Sequence, residues 1–124
     1  ASFFENETAE LLTRFSDILL LGHDYAEDLD RLQRLLQIAE TANVSLDGKA
    51  FPRIGAIGSR SKWKSFTASC IDVGIQTATL EQVRCPIGLN IGAESPEEIA
   101  IAVIAEILSM HKDADVHAPN WRDQ

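Results

Sequence analysis

Hydrophobic positions along the chain fall into two regimes, short unbroken apolar runs and longer stripes at helical spacing, and the two alternate. Asp17 to Gly22, reading DILLLG, is a continuous apolar run of the kind found in buried parallel strands. From His23 to Ala42 the apolar positions Leu29, Leu32, Leu35, Leu36 and Ile38 recur at helical spacing. Asp24 is placed to cap that helix, with Glu27 where a capping box requires it. Asn43 to Phe51 is a polar turn around Asp47-Gly48, and RIGAIGS from Arg53 to Ser59 reads as a second buried strand ending in glycine. Ser61 to Val73 follows as a helix closed by Gly74, and Thr79 to Arg84 as one more helical turn. Before the first strand, Thr8 to Phe15 can form a short amphipathic helix.

The last element has the plainest start signal. Ser95 can cap the free amides, Pro96 fits the first helical position, and Glu98 completes the S-x-x-E box. Glu97 and Glu98 also suit the positive end of the helix dipole. From Ile99 to Leu108 only Glu106 is polar, which predicts a helix buried on several sides. The loop before it carries Pro86, Gly88 and Gly92, so it is either a tight connection or a place where backbone approaches a ligand.

Strands separated by helices imply β-α-β crossovers and an α/β fold with a Rossmann-like parallel sheet and flanking helices. Two strands make a thin sheet, so it is expected to be incomplete, a half-domain open to completion by dimerisation. Residues 1–112 would form this partial domain and residues 113–124, which include Pro119, a polar tail. In such sheets ligands bind beyond the carboxyl ends of the strands. His23-Asp24 follow the first strand and Gly58-Ser59-Arg60 the second, so these groups are expected to converge.

Composition narrows the function classes. With 124 residues, 45% of them hydrophobic, the chain can bury a core. No apolar run is long enough to cross a membrane and no signal peptide is visible. The first residue is Ala, which leads us to expect that upstream sequence has been removed. Cys70 and Cys85 have no zinc-ligand spacing and form no disulfide framework, which fits a reducing cytoplasm. The net charge of −8 speaks against nucleic-acid binding. Yet Arg53, Arg60, Lys62 and Lys64 stand close in sequence with no acid among them, and one basic patch on an acidic body predicts a local anion site.

Each candidate has a plain structural alternative. Gly58-Ser59-Arg60 with Lys62 can offer amides, a hydroxyl and cations to an anion at a helix N-terminus, or Ser59 can simply cap the helix. His23 can hydrogen-bond a ligand or act as a pH-sensitive base, while Asp24 most simply caps. Cys85 can serve as a soft ligand or sulfur carrier, or pack as a small hydrophobe; Cys70 lies on the apolar pattern of its helix and belongs to the core. Glu106 needs a partner if buried, an ion pair with an arginine or a catalytic role. Trp63 and Trp121 could stack on a flat ligand, with packing the default for the first.

GHDYAEDL at Gly22 to Leu29, IGAIGSRSKW at Ile54 to Trp63 and CPIGLNIGAESPEEIAIAVIAEI at Cys85 to Ile107 stand in an order that resembles the xanthine dehydrogenase accessory factor family, XdhC/CoxI. The resemblance implies the family's C-terminal Rossmann-like domain, here without the glycine-bearing first turn and the cysteine-containing N-terminal domain that usually precede it. Gly22 stands where the family often has Thr, and Asn90 where it often has Asp. What the resemblance implies for function is an accessory protein, more a chaperone than an enzyme. It would bind molybdenum cofactor (molybdopterin) and assist its sulfuration and insertion into xanthine dehydrogenase or a related molybdenum hydroxylase, with a cysteine desulfurase as a further partner; the thin sheet separately leads us to expect a homodimer. The implied cofactor-binding set is His23, Asp24, Gly58, Ser59, Arg60, Lys62, Cys85, Gly88, Asn90 and Gly92, with Cys85 the one candidate molybdenum or sulfur ligand. The alternatives are a nucleotide-dependent oxidoreductase or nucleotidyltransferase using NAD(P) or a nucleotide in the same crevice, and a non-catalytic interaction module.

Overall fold

A computed structural model describes residues 14–22 and 24–118. The chain forms two compact units, Ala1–Pro86 and Ile87–Gln124. The first holds β1 (Asp17–Leu20), α1 (Tyr25–Ala42), β2 (Arg53–Ala56), α2 (Arg60–Asp72) and the single turn α3 (Thr77–Leu80), and the second holds α4 (Pro96–His111). The expected helix from Thr8 to Phe15 lies almost wholly outside the described residues.

β1 and β2 pair in parallel, with Asp17 opposite Arg53 and Leu20 opposite Ala56. Arg84 adds a one-residue parallel bridge to Gly55, through bonds from Ala56 N to Arg84 O at 2.9 Å and from Arg84 N to Ile54 O at 3.0 Å. Three chain segments therefore run side by side and end at one edge. Both strands are shorter than the apolar runs that announced them. Past Leu20 and Ala56 the ladder keeps, among the described residues, the Ile57 N to Leu20 O bond at 3.3 Å. Leu21, Gly22, Gly58 and Ser59 have left the sheet to start the helices.

α1 is capped by Asp24 as expected, whose side chain accepts from Glu27 N at 3.1 Å. Its buried stripe is Asp28, Leu32, Leu35, Leu36 and Ala39, one acid followed by four apolar residues. It ends at Asn43, whose positive φ of 55° closes the helix with bonds to Ala39 O and Glu40 O. The polar turn that follows is held by Asp47 Oδ1, which accepts from Lys49 N and Ala50 N, both at 2.8 Å. These amides hold the Asp47 carboxyl below its ordinary value. The core of this unit is formed by Leu32, Leu35, Leu36, Phe51, Ile54, Phe66 and Cys70, all fully or almost fully buried. Each such large side chain contributes about 2 kcal/mol by leaving water.

The extra helical turn forms at Thr77–Leu80, earlier than the expected Thr79 to Arg84. Gln76 O accepts from both Thr79 N and Leu80 N, which fixes the start, while Arg84 is drawn into the sheet. Glu40 ties α1 to this turn by accepting from Gln76 N at 2.8 Å and from Thr79 Oγ1 at 2.7 Å.

In the second unit α4 carries the full capping box, and the loop lies along it. Leu89 N donates to Ala102 O at 3.0 Å and Gly88 N to Glu106 Oε1 at 3.2 Å. Gly88 has φ +127° and faces Ala102, a backbone position that disfavours any side chain. Ile87, Ala102 and Val103 are buried. The expectation of a helix buried on several sides is not met, because Ile101, Ile104 and Leu108 are 61%, 64% and 54% exposed. Periodicity could not separate the two cases, since an apolar residue stands on every face of this helix. Among the described residues no helix is long and apolar enough to cross a membrane.

Candidate functional site at the strand ends

The carboxyl edge of the sheet gathers Gly22 after β1, Ile57-Gly58-Ser59 after β2 and Cys85 after the Arg84 bridge. Two charged side chains meet there. Asp28, in the second turn of α1, is 1% exposed, and its Oδ2 lies 3.6 Å from Lys62 Nζ. Lys62 also donates to Ile57 O at 3.2 Å and sits 5.3 Å from the centre of the Phe66 ring. A backbone carbonyl, a carboxylate and an aromatic face thus hold one ammonium at the carboxyl ends of the strands. Phe66 is held in turn by an edge-on contact with Tyr25, ring centres 4.8 Å apart, and Tyr25 hydrogen-bonds Ser65 across the two helices.

Both glycines of this edge have a stereochemical reason. A Cβ on Gly22 would overlap Asp28 Oδ1, and a Cβ on Gly58 would come within 2.8 Å of Lys62 Cδ. The pair needs these positions bare. Arg31 Nη1 stands 3.8 Å from Asp28 Oδ1, while Asp28 Oδ2 makes no hydrogen bond. The carboxylate is therefore held by charge more than by directed donors.

Of the residues expected to bind a ligand, Gly58, Ser59, Lys62 and Cys85 are gathered at this edge. Ser59 accepts from Lys62 N at 3.2 Å as the α2 cap, and Asp24 caps α1. His23 lies outside the described residues. Arg60, at the first position of α2, is exposed, and so is Lys64 one turn on; neither forms an ion pair among the described residues. The single basic patch is corrected by the structure, which divides it. Arg53 lies at the amino end of β2, where it binds Asp17 through Nε at 2.8 Å and Nη2 at 3.1 Å. Lys62 turns inward to Asp28. Strand direction separates the two: Arg53 opens a strand and Arg60 follows its end.

Cys85 is half-buried, and burial pushes its thiol above the ordinary value while the Lys62 charge pulls the other way. Cys70 is fully buried in the core with its thiol pushed up to about 11. Trp63 packs partly buried against the core, and Trp121 lies outside the described residues. In the second unit Gly88 N donates to Glu106 Oε1, so the glutamate helps hold the loop backbone. Asn90 and Gly92 are exposed, Gly92 with φ +75°. Among the described residues no three His, Cys, Asp or Glu side chains cluster in a way that could hold a metal. A separate open cleft of about 260 Å³ lies at the far end of α1, lined by Glu40, Asn43, Gln76 and Gln82. Two of its polar side chains are engaged in holding that end together, Glu40 as above and Gln82 through Leu46 N at 2.8 Å.

Asp28 was not among the sequence candidates, although it left a signal. It stands one turn before Leu32 on the stripe that buries α1, where a run of apolar positions is interrupted by an acid.

The model of the XdhC Rossmann domain family matches residues 2–107. The chain belongs to that family. The XdhC Rossmann domain is 39% identical over 61 residues to the uncharacterized protein YqeB of Escherichia coli, covering 49% of this chain and 11% of that protein. It is 63% identical over 27 residues to a probable xanthine dehydrogenase subunit of Bacillus subtilis, covering 22% of this chain and 8% of that protein. A crystal structure described as a xanthine dehydrogenase from Bacillus halodurans has the same fold, with TM-score 0.53 and 23% identity over 83% of this chain and 25% of that one. The chain thus spans about a tenth of the length of these curated relatives.

Proposed function

We propose that this XdhC Rossmann domain binds molybdenum cofactor as cargo at the strand-end crevice and hands it to xanthine dehydrogenase or a related molybdenum hydroxylase, as an accessory factor of the cytoplasm. The observation that carries the reading is the Lys62 ammonium held by Asp28, Ile57 O and Phe66 beside the N-terminus of α2. Molybdopterin bears a phosphate. The first amides of α2, the exposed Arg60 guanidinium and the Lys62 charge supply what such a group requires. Family membership and the name of the Bacillus subtilis relative support the choice of recipient.

The role is sequestration and handover rather than turnover. Sulfur transfer through Cys85, with a cysteine desulfurase as donor, needs a thiolate, and burial holds this thiol protonated. Equilibrium titration of the protein with molybdopterin tests the reading. Binding that weakens about tenfold in Arg60→Ala, as loss of one charge-assisted contact predicts, supports it. Absence of binding, indifference to Arg60→Ala, or displacement of the ligand by NAD(P) or ATP at low concentration would reject it.

A further inference from the structure

In the last turn of α1 a carboxylate stands where elementary electrostatics disfavours one. α1 is 18 residues long, and its last turn holds Glu40 and no basic residue at the negative end of the helix dipole. Among the described residues no cation pairs with Glu40, and no Lys, Arg or His lines the open cleft of about 260 Å³ beside it. The structural work of Glu40 needs no charge. Its Oε2 accepts from Gln76 N and Thr79 Oγ1, and the carbonyl oxygen of a glutamine could accept both. Oε1 makes no hydrogen bond among the described residues, and neither do the side chains of Asn43, Ser45 and Gln76, which line the same cleft. One surplus negative charge is thus set among uncommitted neutral amides and a hydroxyl, with Ala39, Val44 and Ala78 as an apolar wall.

We infer that this cleft binds a guanidinium group. Its volume exceeds what a bare ion fills, and among the described residues no cluster of acids, histidines or cysteines could hold a metal. A guanidinium carries one positive charge and a planar fork of N–H donors, which match Glu40 Oε1 and the oxygens of Asn43, Gln76 and Ser45. The apolar wall takes the alkyl stem. The group arrives either on a small free guanidine compound or on an arginine of another protein. The cleft lies where α1 ends, away from the strand ends where α1 starts, so the inference does not depend on cargo binding there.

The side-chain amide signals of Asn43 and Gln76 in NMR spectra of the whole chain read it. The probes are propylguanidine and the blocked peptide acetyl-Gly-Arg-Gly-amide. Both signals are expected to shift on titration, with a dissociation constant of ~1 mM. Glu40→Gln, which keeps an acceptor for Gln76 N and Thr79 Oγ1, should weaken binding at least about tenfold and leave thermal unfolding nearly unchanged. Asp72→Asn, an equal loss of charge outside the cleft, should not alter binding. A peptide that binds more tightly than propylguanidine points to an arginine of a partner, and equal or tighter binding of propylguanidine to a free compound. No shift with either probe at ~10 mM overturns the inference. So does equal binding by Glu40→Gln, or equal binding of the peptide with citrulline in place of arginine, which keeps the shape and loses the charge.

Discussion

Asp28 and Lys62 form an ion pair, Oδ2 to Nζ at 3.6 Å, where the carboxyl ends of β1 and β2 meet the starts of α1 and α2. Asp28 is almost wholly buried and Lys62 keeps 24% of its side chain exposed, so the aspartate anchors and the lysine is the partner that solvent reaches. Removing the lysine alone leaves a buried carboxylate with Arg31 as its remaining cation among the described residues. Lys62→Met is expected to cost about 3 kcal/mol of stability. The double variant Asp28→Leu/Lys62→Met should return to within about 1 kcal/mol of the wild type, since it removes both charges and extends the apolar stripe of α1. A urea double-mutant cycle measures both. Additive losses would show that the two side chains do not act together.

Gly22 and Gly58 hold this pair by having no side chain. Gly58→Ala should displace Lys62 along its flexible chain at small cost, whereas Gly22→Ala should push against the buried carboxylate itself. About 1–3 kcal/mol is expected for Gly22→Ala and under about 1 kcal/mol for Gly58→Ala. Thermal unfolding of the two variants side by side decides the order, and equal losses would contradict it.

Much of this architecture was legible in the sequence, and the exceptions have physical reasons. Asp24, Ser59 and Ser95 were readable as caps because capping depends on a few adjacent residues, and all three accept the expected amide. The division of Arg53 from Arg60 was implicit in reading Arg53 to Ser59 as a strand, but the acids that engage Arg53 and Lys62, Asp17 and Asp28, lie on other elements and could be found only from the fold. Asp28 was hidden because a single acid on a helix reads as solvated until its face is known. The open side of α4 was hidden because Ile101, Ile104 and Leu108 look like core wherever they stand.

The two thiols should react at very different rates. Cys85 is half-buried and held above its ordinary value of 9.0, with Lys62 opposing the shift, while Cys70 is sealed in the core. Iodoacetamide at neutral pH is expected to label Cys85 slowly and Cys70 only on unfolding. Lys62→Met should slow Cys85 further by removing the cation that favours its thiolate. Mass spectrometry of the labelled sites reads both, and faster labelling in the variant would contradict the account.

Acid should loosen the start of α4. Amides of Glu94 and Ser95 hold the Glu98 carboxyl below its ordinary value of 4.5. A folded value lying under the unfolded one means the contribution is complete above pH 4.5 and is lost as pH falls through the folded value. Titration of the Glu98 side chain by NMR, with α4 amide protection followed in parallel, is expected to show both changes together. Ser95→Ala should cost about 1 kcal/mol at neutral pH through loss of the same cap.

The central claim is that Lys62 meets the cargo at the strand ends, and the affinity of molybdopterin for three proteins tests it most directly. The wild type is compared with Asp28→Leu/Lys62→Met, which removes the crevice cation while keeping the fold. Lys49→Met removes an equal charge from the exposed turn before β2. Affinity at least about tenfold weaker in the double variant and unchanged in Lys49→Met is the predicted result. Equal affinity in all three, or equal loss in both variants, would contradict it.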